Sequence, residues 1–167
     1  MKITKLASSK HSFTAVKALE LKKLILTEMK AQVELKISSA QSDIASIQDS
    51  KLSATKSTAG DKHETGRAMM ERELAMAQAQ LSKSQRMMAD IDQIESMPAT
   101  EKVEFSSLVV TSSGKFLIGA AFGKLEVSGE TCFAISAVSP MGEILLGKKV
   151  GEEYEFRGLK NTVDSIS

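Results

Sequence analysis

The sequence predicts an α+β chain: an N-terminal antiparallel coiled-coil hairpin, then a small antiparallel β domain with one short helix. Three observations carry this. The first 97 residues contain no proline, and their apolar residues recur at heptad spacing. One short segment rich in Ser, Thr, Gly and Asp interrupts that stretch. After Pro98, eight of the ten glycines and the second proline punctuate short runs of branched and aromatic residues. The domains implied are residues 1–97 for the hairpin, 98–102 for a linker and 103–167 for the β domain.

The first helix is expected to begin near Ser12, a residue whose hydroxyl suits an N-cap. Leu19, Leu26, Val33, Ala40 and Ile47 stand seven apart, and Ile37 and Ile44 fill the alternate positions. In the second helix Leu74, Leu81 and Met88 are seven apart, with Met70, Ala77 and Ile91 between them. Lys, Glu, Gln and Ser occupy the other faces. Each helix therefore buries one narrow stripe, and its natural partner is the other helix. About 40 residues of helix span roughly 60 Å, so the pair forms a rod and not a compact core. The Ser-rich part, Ser38 to Ser57, has modest helix propensity and should be the least stable stretch. Ser57-Thr58-Ala59-Gly60-Asp61 has the residues a tight bend needs.

In the C-terminal part, Val103 to Thr111 reads as a strand and Ser112-Ser113-Gly114 as a turn. Phe116 to Ala121 and Lys124 to Val127 follow as strands, with a turn at Ser128-Gly129-Glu130. Thr131 to Val138 is the longest strand. Ser139-Pro140-Met141-Gly142 opens a short helical turn through Leu146. Tyr154 to Phe156 and Thr162 to Ile166 complete a twisted sheet of five or six strands.

Composition excludes several function classes. The formal net charge is +1, so no bulk field points to a nucleic acid or a membrane surface. The charge is unevenly spread, because residues 1–60 hold ten Lys against five Asp or Glu. A single cysteine, Cys132, forbids an internal disulfide and fits a reducing compartment. No apolar run is long enough for a transmembrane helix, and the N-terminal residues lack the apolar segment of a signal peptide. A cytoplasmic monomer without a membrane partner is the expectation. No dinucleotide fingerprint, phosphate-cradling loop or nucleophile triad is present.

The candidate chemistry lies at the bend, in Gly60-Asp61-Lys62-His63-Glu64. Asp followed three residues later by Glu is nearly a capping box, which satisfies helix amides and needs no further role. The same two carboxylates at the end of a rod are also hard oxygen ligands suited to Mg²⁺, with further ligands coming from a partner. The two readings are compatible, since a capping Asp keeps a free oxygen. His63 has no second His or Cys nearby, which argues against a zinc site. Lys51, Lys56, Lys62, Arg67 and Arg72 form either a solvated face or a set of charges that guides the acidic tip among phosphates. Met69-Met70 and Met87-Met88 read as seam fillers. Cys132, in an apolar strand, reads as buried and inert.

Two short stretches resemble a known family. The run from Val138 to Phe156, VSPMGEILLGKKVGEEYEF, is similar to the C-terminal domain of Gre-type transcript cleavage factors. Those factors place an antiparallel coiled coil before an FKBP-like domain, the order predicted for this chain. Their coiled-coil tip carries Gly-Asp-x-x-Glu-Asn, and Gly60 to Glu64 matches it in register.

The resemblance implies a bacterial transcription elongation factor that is not itself an enzyme. Its partner would be RNA polymerase, with the C-terminal domain at the rim of the secondary channel and the rod inside. There the tip would assist the polymerase's own cleavage of a backtracked RNA 3′ end. By this analogy Asp61 and Glu64 are the catalytic acids and share a Mg²⁺ with the polymerase, held only in the complex. Ser139 and Pro140 fall where the family contacts the rim, and Lys56, Lys62 and Arg67 would supply electrostatic guidance. Thr65 stands where the family has Asn, and Gly66-Arg67-Ala68 replaces its Ala-Glu-Tyr segment. Two other readings stay open: a non-cleaving regulator of the same channel, and a coiled-coil adaptor unrelated to polymerase.

Overall fold

The computed structural model describes residues 4–55 and 62–167, with side chains for 17–54 and 64–167. Helix α1 runs Thr4–Thr55 and α2 runs Lys62–Ser96. Six strands and a short third helix follow: β1 (Leu108–Thr111), β2 (Gly114–Ile118), β3 (Gly123–Val127), β4 (Glu130–Ile135), α3 (Pro140–Leu145), β5 (Glu153–Phe156) and β6 (Leu159–Ile166). The chain divides into two compact units. One is Lys30–Ala89; the other joins Met1–Met29 to Asp90–Ser167. The fold is α+β, as the periodicities predict. The expected helix start is corrected, because Ser12 lies inside α1 and so does not cap it.

In the unit Lys30–Ala89 the two helices pack through narrow stripes. On α2 the inward positions are Met70, Leu74, Ala77, Leu81, Ser84 and Met88, stepping by four and three as a coiled coil requires. On α1 Val33 and Ala40 are buried, and Ile37, Ile44 and Ile47 are half-buried. Ala40, Ala77 and Ser84 are small, so the seam adds little apolar bulk in its middle. Ser84, a hydroxyl residue, is buried at a seam position otherwise held by apolar side chains.

Leu19 corrects the predicted seam: it is 44% exposed. The buried stripe of α1 here is Ala18, Lys22, Ile25, Met29 and Val33, with Leu26 at its edge. Stepping from Lys22 to Ala40 averages about 3.6 residues per turn, the period of a straight helix and not of a heptad. A strict seven-residue step back from Leu26 therefore leaves the stripe.

The strands form one sheet in the order β3-β4-β2-β1-β6-β5. Four of its pairings are antiparallel, and β2 and β4 run parallel. That parallel pair arises because β3 runs back along the sheet edge and β4 returns into the gap between β3 and β2. Two-residue loops close the tightest hairpins. Ser128-Gly129 and Arg157-Gly158 all have positive φ, between 52° and 79°. This is the turn whose twist matches paired strands. An extra residue at Asp164 makes a bulge where β6 passes from Ser165 to Val163 along β1. Of the strand expected over Val103 to Thr111 only the last four residues form β1, because Glu104 to Ser107 make a turn in which Ser106 has φ 83°.

The two faces of the sheet bury different partners. On one, Val109, Phe116, Ile118, Tyr154 and Val163 form a core with Val103 and Leu145, and Met141 and Ile144 of α3 pack against it. On the other, Leu108, Leu117, Leu125, Cys132 and Ala134 are at most 3% exposed. Helix ends meet that sheet: a Cβ at Gly119 would lie 2.6 Å from Ile94 Cδ1, and Lys22 Nζ donates to the Ser167 main-chain oxygen at 3.2 Å. The Tyr154 hydroxyl, buried in the first core, donates to Thr111 Oγ1 at 3.0 Å and lies 2.8 Å from Ser113 Oγ. A buried phenol of this kind is tolerated because it is hydrogen-bonded.

Helix α3 is held tightly at its start. Ser139 Oγ accepts from the Gly142 amide at 3.1 Å and donates to the Ser136 carbonyl at 2.7 Å. Pro140 takes the first helical position, where no amide is needed. Gly142 is compulsory, since a Cβ there would sit 2.3 Å from the Ser136 carbonyl oxygen.

Two stability predictions follow from these contacts. Gly142→Ala forces backbone apart and should cost more than about 2 kcal/mol in urea unfolding. Gly66→Ala, where a Cβ meets nothing within 4 Å in the second turn of α2, should instead stabilise by about 0.5–1 kcal/mol. Lys22 supplies a pH dependence. Burial lowers its pKa below 10.5, so between the folded value and 10.5 the unfolded chain binds more protons, and stability rises with pH there. Lys22→Met should stabilise the protein at pH 7, and the gain should shrink as the pH approaches 10.5; urea unfolding at several pH values reads both.

Candidate functional site

Helix α2 begins at Lys62, which places Glu64 in its first turn, where a carboxylate faces unsatisfied helix amides and a favourable dipole end. Glu64 is exposed, and so are Thr65, Gly66 and Arg67. Asp61 and Lys56 lie outside the described residues. Lys62 is in the helix, with its side chain and that of His63 outside them. The predicted acid pair is therefore represented by Glu64 alone.

Around it the charges are more committed than their exposure suggests. Arg67 Nε lies 3.4 Å from Glu71 Oε1, one helical turn on, and Lys51 Nζ of α1 reaches the same oxygen at 3.1 Å. The hydrogen bond and charge of Lys51, followed by those of Arg67, hold the Glu71 carboxyl below its ordinary range. Arg67, read from sequence as a guiding charge, thus shares its guanidinium with a neighbour. Glu71 was not singled out by the sequence reading. Its i,i+4 spacing from Arg67 was a visible signal; its link to Lys51 needed the helix register.

Among the described residues no three His, Cys, Asp or Glu side chains stand together as a metal-binding group. Glu64 offers hard oxygens of the kind Mg²⁺ takes, but one carboxylate, or two with Asp61, leaves most of an octahedron to other donors.

Ser139 and Pro140, the residues expected at a partner's rim, lie at the start of α3. The Ser139 hydroxyl is engaged in the cap; Pro140 is exposed and Val138 beside it is 79% exposed. Cys132 is 1% exposed, and burial pushes its thiol up to about 11. It has almost no thiolate at neutral pH and is not a nucleophile. No helix among the described residues is long and apolar enough to cross a membrane.

No family model, curated protein or solved structure matches this chain.

The Lys51–Glu71–Arg67 cluster can be tested directly. In a carbon-detected NMR titration Glu71 should ionise below 4.5, and Lys51→Met should move its midpoint up toward that value. A midpoint unchanged by Lys51→Met would mean that the cross-helix pair does not form in solution.

Proposed function

We propose that the chain is an accessory factor of bacterial RNA polymerase that enters the secondary channel and promotes cleavage of backtracked RNA 3′ ends. The observation that carries this reading is the exposed Glu64 in the first turn of α2, three residues after Asp61 in sequence, in a chain built as a helical hairpin followed by a small β unit. Acids on such a helix are free to reach a site on another macromolecule. The similarity of residues 138–156 to the C-terminal domain of Gre-type factors supports the same reading.

The chain's own part would be limited and physical. Asp61 and Glu64 would present carboxylate oxygens; α2 would orient them; the seam below would hold the pair extended. A Mg²⁺ held jointly with the polymerase supplies water activation and charge neutralisation when bound. Ser139 and Pro140 would meet the rim, and Lys56, Lys62 and Arg67 would offset the repulsion between the tip acids and RNA phosphates.

A second reading, a channel regulator without cleavage, draws on the exposed Thr65-Gly66-Arg67 segment that departs from the family motif. Purified stalled elongation complexes separate the two. Cleavage cofactor action predicts release of short 3′ RNA fragments on addition of the protein. It also predicts loss of at least about tenfold in rate with Asp61→Ala or Glu64→Ala, as expected for removing one charged ligand. Altered pausing or initiation without new RNA ends, and dependence on Arg67 but not on Glu64, would favour the regulator and reject cleavage.

A further inference from the structure

One side of the Lys30–Ala89 hairpin carries an open trough of about 420 Å³. Asp43, Ser46 and Ile47 line it from α1, and Glu73, Met76 and Ala77 from α2. Ile47 and Ala77 belong to the seam and make an apolar floor. Ser46 is short, which leaves the α1 wall low. Met76 is 68% exposed, and Met69, seven residues earlier on the same side of α2, is 61% exposed. Asp43 and Glu73 place one carboxylate on each wall, and no ion pair engages either among the described residues. None of the six lining residues is basic.

Each observation narrows the occupant. A trough along two antiparallel helices accepts a third helix laid lengthwise, the helix-in-groove mode of recognition. An apolar floor flanked by adaptable methionines takes branched aliphatic side chains without demanding one shape. Two unpaired carboxylates on opposite walls favour cations along both edges of whatever lies between them, and repel acidic segments. With a net charge of +1 the chain has no general attraction for cations, so selectivity would come from this side alone.

We propose that this trough is a docking site for an amphipathic helix of a protein partner, with aliphatic residues on one face and Lys or Arg on its flanks. The site is independent of the acid pair at the tip and of the polymerase reading. It uses other residues, and either can fail without the other.

The test uses the full chain and a fluorescein-labelled designed peptide of about 18 residues, some five helical turns, with leucine on one face and lysine on the flanks. Its counterpart carries glutamate in place of lysine. Anisotropy titration should show saturable binding of the lysine peptide and at least about tenfold weaker binding of the glutamate peptide. Asp43→Lys with Glu73→Lys, and separately Met76→Glu, should each weaken the lysine peptide about tenfold or more. Far-UV circular dichroism confirms that each variant keeps its helix content. Glu34→Lys with Asp49→Lys, exposed residues off the trough, makes the same charge change and should leave binding unchanged. Equal binding of the two peptides, or equal loss in the trough and control variants, would overturn the proposal. Should Met76→Glu lose helix content, the Asp43 and Glu73 pair decides alone.

Discussion

A helix with apolar side chains along a single stripe has no stable life alone; it needs a second stripe against it. That constraint organises this protein. The α2 positions Met70, Leu74, Ala77, Leu81, Ser84 and Met88 run without a missed step, and Val33, Ile37, Ala40, Ile44 and Ile47 answer from α1. Because every other face stays solvated, the pair remains two helices thick. Its outer residues, including Glu64 in the first turn of α2 and Asp43 and Glu73 along a side, are exposed.

The same helices meet a different demand where they belong to the unit with the sheet. There the covered surface is broad, and α1 turns a wider face inward: Ile25, Leu26 and Met29 are all buried. Ile94 presses so closely on Gly119 that a side chain would not fit there without shifting it. The cost of this breadth is visible in Lys22, whose side chain is buried and donates to a main-chain oxygen. Burial disfavours its charge. Ser165 and Ser167 also bury hydroxyl oxygens with no hydrogen-bond partner among the described residues.

Much of this was legible in the residues. The α2 seam could be counted, and the short helix at Ser139-Pro140 and the hairpin turn at Ser128-Gly129 could be read from turn chemistry. What escaped depends on tertiary context. Leu19 keeps heptad spacing yet is exposed, because two successive four-residue steps, Met29 to Val33 to Ile37, shift the buried stripe of α1. The parallel pairing of β2 with β4 depends on where β3 lies, which no local pattern encodes. At the tip, the acid spacing was visible, but the link from Glu71 to Lys51 on the other helix required the register between helices. The trough was hidden for the same reason: Ser46 and Met76 are unremarkable until two antiparallel helices set them across from each other.

The central functional claim is that Glu64 contributes to a metal site completed by another macromolecule. The Mg²⁺ concentration dependence of RNA cleavage by a backtracked polymerase complex addresses it most directly. Addition of the protein should lower the half-saturating Mg²⁺ several-fold, and Glu64→Gln, which keeps size and loses charge, should abolish most of that shift. A half-saturating concentration that the protein leaves unchanged, or that Glu64→Gln lowers as much as the native chain, would contradict the account.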